Sequence, residues 1–357
     1  MNSQALIRSA IEKIQQASVK DINIMEVCGT HTQAISKLGI RQLIEPKLHL
    51  ISGPGCPVCV TSERYIDAAI ELSQHPNVII TTFGDMMKVK GGSENLMEQK
   101  EKGKDIRVIY SPLDSIKIAE DNKNKEVIFL GVGFETTTPL IALAVKIAKE
   151  KNLKNISFLT SMKRMEPILQ HILAEGNHNI KGLICPGHVA AITGEDYFKF
   201  IVEKYNIPAV ITGFDAIDIV GALIFLINQQ GETKKNFRNL YKSCVTSQGN
   251  KRATQLIKEI FTYCDEEWRG IGNIKSSGFA LKDEYKEYSA AHKFAIKIEE
   301  KCIKTCVCSE ILLGKKLPNS CEFFGEACTP EKPVGPCMVS SEGACSIFYN
   351  YLSGKGV

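Results

Sequence analysis

"LHLISGPGCPVCVTSERY", Leu48 to Tyr65, begins as an apolar β-rich run and passes through two glycines and two prolines. It then enters the helical pattern "TSERYIDAAIELSQH". A strand that ends in a rigid turn and feeds a helix is the repeating unit of a parallel sheet covered by helices. The same alternation extends from about residue 24 to residue 230. "INIMEV", "LHLIS", "NVIITT", "RVIY", "EVIFLG", "NISFLT", "KGLIC" and "AVITG" read as strands, and segments such as "PLIALAVKIAKE" read as helices between them. The expected class is α/β with parallel sheets.

The chain also echoes itself. Pro54, Gly55, Thr61, Glu63 and Tyr65 recur at one constant offset as Pro186, Gly187, Thr193, Glu195 and Tyr197. "IITTFGD" resembles "VITGFDA" one residue out of that register, and "CGTHT" faintly echoes "GFETT". This predicts two duplicated α/β domains around a cleft, residues 24–120 and 121–240. Each carries a glycine-rich loop at the C-terminal end of a strand, the edge where open α/β sheets bind ligands. Residues 1–23 read as an N-terminal helix, expected to pack with the C-terminal domain. From about residue 245 strand signals fade and Cys, Gly and Pro become dense, so 241–357 reads as a smaller domain stapled by metal.

A chain of 357 residues can bury more than one core. Its net charge of +4, with Lys and Glu interspersed, gives no nucleic-acid footprint. The longest apolar run, Ile217 to Ile227, is too short to span a bilayer and contains Asp218. The first residues lack an apolar signal region, so a cytoplasmic location is expected. In that compartment the thirteen cysteines, eight of them after residue 260, favour metal or redox chemistry over structural disulfides.

Four motifs carry candidate chemistry. In the tail, Cys321, Cys328, Cys337 and Cys345 lie within one segment whose loops are stiffened by Pro330, Pro333 and Pro336. Four such thiolates can surround a [4Fe–4S] cube. Structural zinc, which favours paired Cys-x-x-Cys knuckles, and inert thiols are the alternatives. Cys302, Cys306 and Cys308 lie just upstream and are further ligand candidates. In "MEVCGTHT", Cys28 at a strand end with His31 beyond it reads as a metal ligand, a nucleophile or a buried structural thiol. Cys56 and Cys59 have disulfide-exchange spacing at a loop-to-helix boundary, where a helix N-terminus acidifies a thiol; a site closed by Cys28, Cys56 and Cys59 is a further reading. In "CPGHV", His188 takes the place of Cys56 and is either a proton donor, a ligand or a structural residue. Glu135 in "GVGFETT" is either a cleft acid or a buried cap. Neither a complete G-x-G-x-x-G nor a P-loop is present.

Taken in order, "MEVCGTHT", "GPGCPVC", "TTFGDMMKV", "GVGFETT", "CPGHV" and "FFGEACTPEKPVGPCMVSSEGACSIFY" resemble the HypD family, hydrogenase maturation factor D, over almost the whole chain. The resemblance implies two similar α/β domains plus a third bearing a [4Fe–4S] cluster. It implies a scaffold for the [NiFe]-hydrogenase active site that holds, with the small chaperone HypC, an iron bearing two cyanides and one carbon monoxide. HypE supplies the cyanide, and the hydrogenase large subunit is served indirectly. By motif, Cys28 becomes the iron ligand with His31 beside it. Cys56 and Cys59 become a redox dithiol, Cys321, Cys328, Cys337 and Cys345 the cluster ligands, and His188 a cleft residue. Cys244, Cys264 and Cys302 match no family motif. The competing readings are an iron–sulfur thiol–disulfide reductase and a structural zinc protein. No membrane or nucleic-acid partner is expected.

Overall fold

The computed structural model describes residues 3–19, 21–175, 179–296 and 306–352, so Cys302 lies outside the described residues. All eight expected strands form. They are β1 (Ile22–Glu26), β2 (Leu48–Ser52), β3 (Val78–Thr82), β4 (Ile106–Val108), β5 (Glu126–Gly133), β6 (Ile156–Met162), β7 (Ile180–Cys185) and β8 (Ala209–Ile211). A short β9 (Phe237–Asn239) follows, then β10 (Phe261–Trp268) and β11 (Gly272–Leu281). The first sheet has the order β2-β1-β7-β8-β9 and the second β4-β3-β5-β6. Every neighbouring pair in both is parallel. The expected α/β class, with two parallel sheets and a Cys-rich region, is what forms.

The sheets do not follow the contiguous division at residue 120. β1 and β2 pair with β7 and its neighbours, so the first sheet draws on both ends of residues 22–239, and the second is built from the middle. The echo between Pro54–Tyr65 and Pro186–Tyr197 therefore relates the turns after β2 and β7, both in the first sheet. The echo between "IITTFGD" and "VITGFDA" relates β3 and β8, which lie in different sheets. Similar turns produce similar short sequences, whereas strand partners are chosen by burial. Ile24 and Met25 of β1 are fully buried between β2 and β7. The two stretches do share one device. Tyr65 Oη donates to Leu159 O at 2.8 Å, and Tyr197 Oη donates to Glu135 Oε1 at 2.6 Å, each reaching toward the second sheet.

Two further expectations change. Among the described residues, the N-terminal helix Ser3–Gln16 packs mainly on the first sheet's own helix Ala216–Asn228, with Ile14 buried among Ile219, Val220 and Leu223, rather than on the C-terminal segment. Strand structure also does not fade after residue 245. β10 and β11 form an antiparallel hairpin, among the longest strands described. The cysteine-rich segment 306–352 consists of short helices and turns, and its buried Cys308, Cys328, Cys337, Met338 and Cys345 share one core with Met25, Val27, Cys56, Cys59 and Trp268. It is docked on the first sheet's ligand edge.

Candidate functional site

In the first sheet the chain leaves β1 in one direction to reach β2, while β7 flanks β1 on the other side. The crevice at the carboxyl ends of β1 and β7 is thus the topological switch point. Cys28 follows β1 and caps the helix Gly29–Lys37, and His188 follows β7 in the helix Gly187–Thr193. The "GPG" turn closes over Cys28. Gly53 N donates to Glu26 O at 2.7 Å, and a Cβ on Gly55 would stand 2.5 Å from both Cys28 Cα and N. Only glycine fits there, which puts Cys56 on the loop beside Cys28. From the C-terminal segment, Glu342 accepts a 2.7 Å bond from Thr30 Oγ1 and packs on Gly29.

Burial pushes the Cys28 thiol up to about 11, against the opposing pull of the His31 and Thr30 amides and the Thr30 hydroxyl; the Glu342 charge adds to the rise. A cation bound to the sulfur reverses that preference. His31 is buried, and its Nε2 lies 3.0 Å from Gly213 O, which can only accept. Nε2 therefore carries the proton, and the buried Nδ1 presents a lone pair with no partner among the described residues. Burial holds the imidazole down at about 4, so it is neutral. Phe214 stacks on His31 at 4.4 Å and on the exposed His188 at 4.2 Å, joining the two histidines through one ring.

Cys59 points elsewhere. Its Sγ is 3.9 Å from Pro336 O, its backbone N–H donates to Cys56 Sγ at 3.3 Å, and Cys337 is its neighbour on the far side. Cys337 in turn meets Cys308, and Cys308 meets Cys306. Five cysteines are thus successive neighbours in the order Cys56, Cys59, Cys337, Cys308, Cys306. Cys59 is raised well above its ordinary value by burial, Cys306 is raised chiefly by Cys308 and burial, and Cys308 is raised overall by Cys337 and burial although Cys306 pulls it down; Arg269 adds a smaller downward pull on both.

The far end of this run opens into a small pocket lined by Cys306, Cys321, Cys328, Cys337 and Cys345, with Ile311, Phe323, Phe324, Val334 and Met338. Cys328 Sγ accepts from Val334 N at 3.3 Å, and Gly335 lacks the Cβ that would collide with Cys306 Sγ. Soft sulfur donors, apolar walls, a backbone N–H aimed at sulfur and no charged lining residue fit an iron–sulfur cluster. Among the described residues no three Cys, His, Asp or Glu side chains converge as they would on a single metal ion. Cys28, Cys56 and Cys59 therefore do not form one such trio.

Glu135 resolves as the buried cap and not the cleft acid. Its Oε1 accepts from Met165 N at 2.9 Å, at the start of the helix Met165–Ala174, and from Tyr197 Oη; burial raises its pKa. Cys185 is a core thiol raised by burial, Cys264 is half-buried on β10 and raised to about 11 by burial, and Cys244 is exposed. Sequence reasoning offered Cys306 and Cys308 only as alternative ligands, and did not foresee that Cys308 neighbours Cys337 and Cys306 neighbours Cys308. It missed Arg269, Phe214 and Glu342 entirely.

The fold and site together define a two-sheet α/β protein that joins a crevice thiol, through a dithiol, to a cysteine-lined pocket. The HypD profile, described as the hydrogenase formation hypA family, matches residues 5–352. The chain is 40% identical over 343 residues to hydrogenase maturation factor HypD2 of Bradyrhizobium diazoefficiens (93% of this chain, 90% of the relative). It is 37% identical over 347 residues to hydrogenase maturation factor HypD of Escherichia coli (97% and 93%). It is 38% identical over 356 residues to the HypD of Rhodobacter capsulatus (97% and 94%). The chain belongs to the HypD family of hydrogenase maturation factors.

Proposed function

We propose that the protein holds at Cys28, as cargo, the iron with two cyanides and one carbon monoxide destined for a [NiFe]-hydrogenase. It does so in the cytoplasm with a small HypC-type chaperone, while a HypE-type protein donates cyanide. The observation that carries this reading is the run of neighbouring cysteines from Cys56, beside the Cys28 loop, to the five-cysteine pocket. Cys28 supplies a soft thiolate suited to iron with strong-field ligands. The neutral His31 offers its Nδ1 lone pair to a donor in the crevice, and Phe214 shields it from water.

Cys306, Cys321, Cys328 and Cys345 are the pocket thiols proposed to hold a [4Fe–4S] cluster, which supplies electrons singly when bound. This substitutes Cys306 for Cys337, because Cys337 is the pocket cysteine that also borders Cys59. With Cys337 free, the chain's own thiols can exchange. Cys337 Sγ attacks Cys59 Sγ of a Cys56–Cys59 disulfide, that bond breaks, and Cys56 leaves as thiolate and takes a proton. Cys308 Sγ then attacks Cys337 Sγ and releases Cys59. Two electrons have passed to the Cys56–Cys59 pair, and the disulfide now joins Cys308 and Cys337.

Infrared spectroscopy of the anaerobically purified protein with its small partner tests the cargo. Metal-bound cyanide and carbon monoxide bands are expected, and Cys28→Ser should lose them while keeping the cluster absorbance. Bands that persist in Cys28→Ser would refute Cys28 as ligand. Their absence from the native complex would favour the thiol–disulfide reductase, which the same run of cysteines also supports.

A further inference from the structure

The helix that carries Cys59, Pro57–Val60, is a single turn. A helix so short has no rigidity of its own. Where Cys59 sits against Cys337 is therefore set by whatever grips its C-terminal end. That grip comes from the tip of the β10–β11 hairpin. Arg269 N donates to Val60 O at 3.0 Å, and Nη1 reaches Thr61 O at 3.5 Å. Nη2 donates to Glu63 Oε1 at 3.0 Å and to Lys90 O at 2.8 Å, in the chain that follows β3. Thr61 also bridges Trp268 in antiparallel fashion. The side chain of Arg269 is 8% exposed.

The next residue touches the chain beside Cys308, further along the same run of cysteines. Gly270 has φ +68°, and a Cβ on it would stand 2.8 Å from Ser309 Cβ and Oγ, directly after Cys308. One hairpin tip thus contacts the residues that follow Cys59 and the residue that follows Cys308.

We propose that Arg269 is a positioning residue for the thiol line: it fixes the Cys56–Cys59 turn in register with Cys337 and ties that register to the second sheet. This rests on the thiol-exchange reading above. Exchange needs sulfurs brought to bonding approach with correct Cβ placement, so a small drift of the turn slows it sharply. The guanidinium suits the task because its planar fork spreads its donors over two nitrogens, Nη1 toward Thr61 O and Nη2 toward Lys90 O and Glu63 Oε1, in a fixed geometry that the single nitrogen of an ammonium does not impose.

The test uses the full-length protein carrying Cys56→Ser and Cys308→Ser, treated with diamide. Cys59 and Cys337 then give up two protons and two electrons to the N=N bond of diamide, forming one disulfide, and alkylation with peptide mass mapping follows its rate. Adding Arg269→Gln should slow cross-linking about ten-fold, with Arg269→Lys intermediate. Iron content and the alkylation rate of exposed Cys244 should stay unchanged. Cross-linking within about two-fold of the parent in Arg269→Gln would overturn the positioning role and leave the thiol line intact. No Cys59–Cys337 cross-link in any variant would overturn both. Should Arg269→Gln fail to fold, Gly270→Ala displaces the same tip from Ser309 and carries the same expectation and the same refutation.

Discussion

His31 shows how one buried ring constrains both chemistry and stability. Its folded value near 4 lies below the ordinary 6.5, chiefly through burial, against the Gly213 and Thr212 carbonyls and with a smaller push from His188. Between those values the unfolded chain binds a proton that the folded chain refuses. Stability is therefore complete above pH 6.5 and falls as pH drops toward 4, by about 3 kcal/mol from this one group. Glu26 and Glu135, raised by burial, act in the opposite sense, so the comparison must be between variants. Chemical denaturation from pH 7 to pH 4 should show native protein losing more stability than His31→Gln, and parallel profiles would contradict the assignment. The pocket thiols make a second residue-scale prediction. Anaerobically prepared Cys306→Ser should lose cluster iron, whereas Cys337→Ser should keep about four irons per chain, the content of one cubane. The reverse pattern by iron analysis would restore Cys337 as the ligand.

Among elements, the turn after β2 is the most constrained. A methyl at Gly55 has nowhere to go but into the Cys28 backbone, so Gly55→Ala should cost roughly 1–3 kcal/mol and impair cargo retention. Gly84→Ala, whose added carbon would meet Val108 at an ordinary 3.7 Å, should be close to neutral by thermal melting. Equal effects would show that close approach is not what demands glycine at Gly55. At this scale the sequence was informative where burial is two-sided. "VIITT" and "EVIFLG" are continuous apolar runs because both faces of a parallel strand are covered. The hairpin escaped notice because β10, "FTYCDEEW", sets an acidic, exposed to half-buried middle between buried ends and so resembles a loop. Site residues on turns beside Cys, Gly and His motifs were legible. Arg269 and Glu342 were not, since each matters only through a partner distant in sequence, Thr61 and Thr30 respectively.

The whole molecule is less divisible than its sequence suggested. The chain crosses from the first sheet to the second after β2 and returns before β7, so each crossing segment belongs to both. Cross-ties such as Tyr197–Glu135 and Arg269–Lys90 then hold the assembly together. Fragments cut at residue 120 would strand β1 without β7 and β3 without β5. Residues 1–120 and 121–357 expressed separately should therefore lack dispersed amide spectra; either one folding alone would show that the sheets are more autonomous than their topology implies.

The place of β7 also governs when the crevice can exist during synthesis. β1 emerges from the ribosome about 150 residues before β7, an interval of roughly 10–30 s at ordinary elongation rates. Through that interval the nascent Cys28 strand has one flank unpaired and no opposing wall carrying His188. A crevice with both walls, which the proposed cargo site requires, is thereby deferred until the second sheet has been made, a delay written into strand order alone.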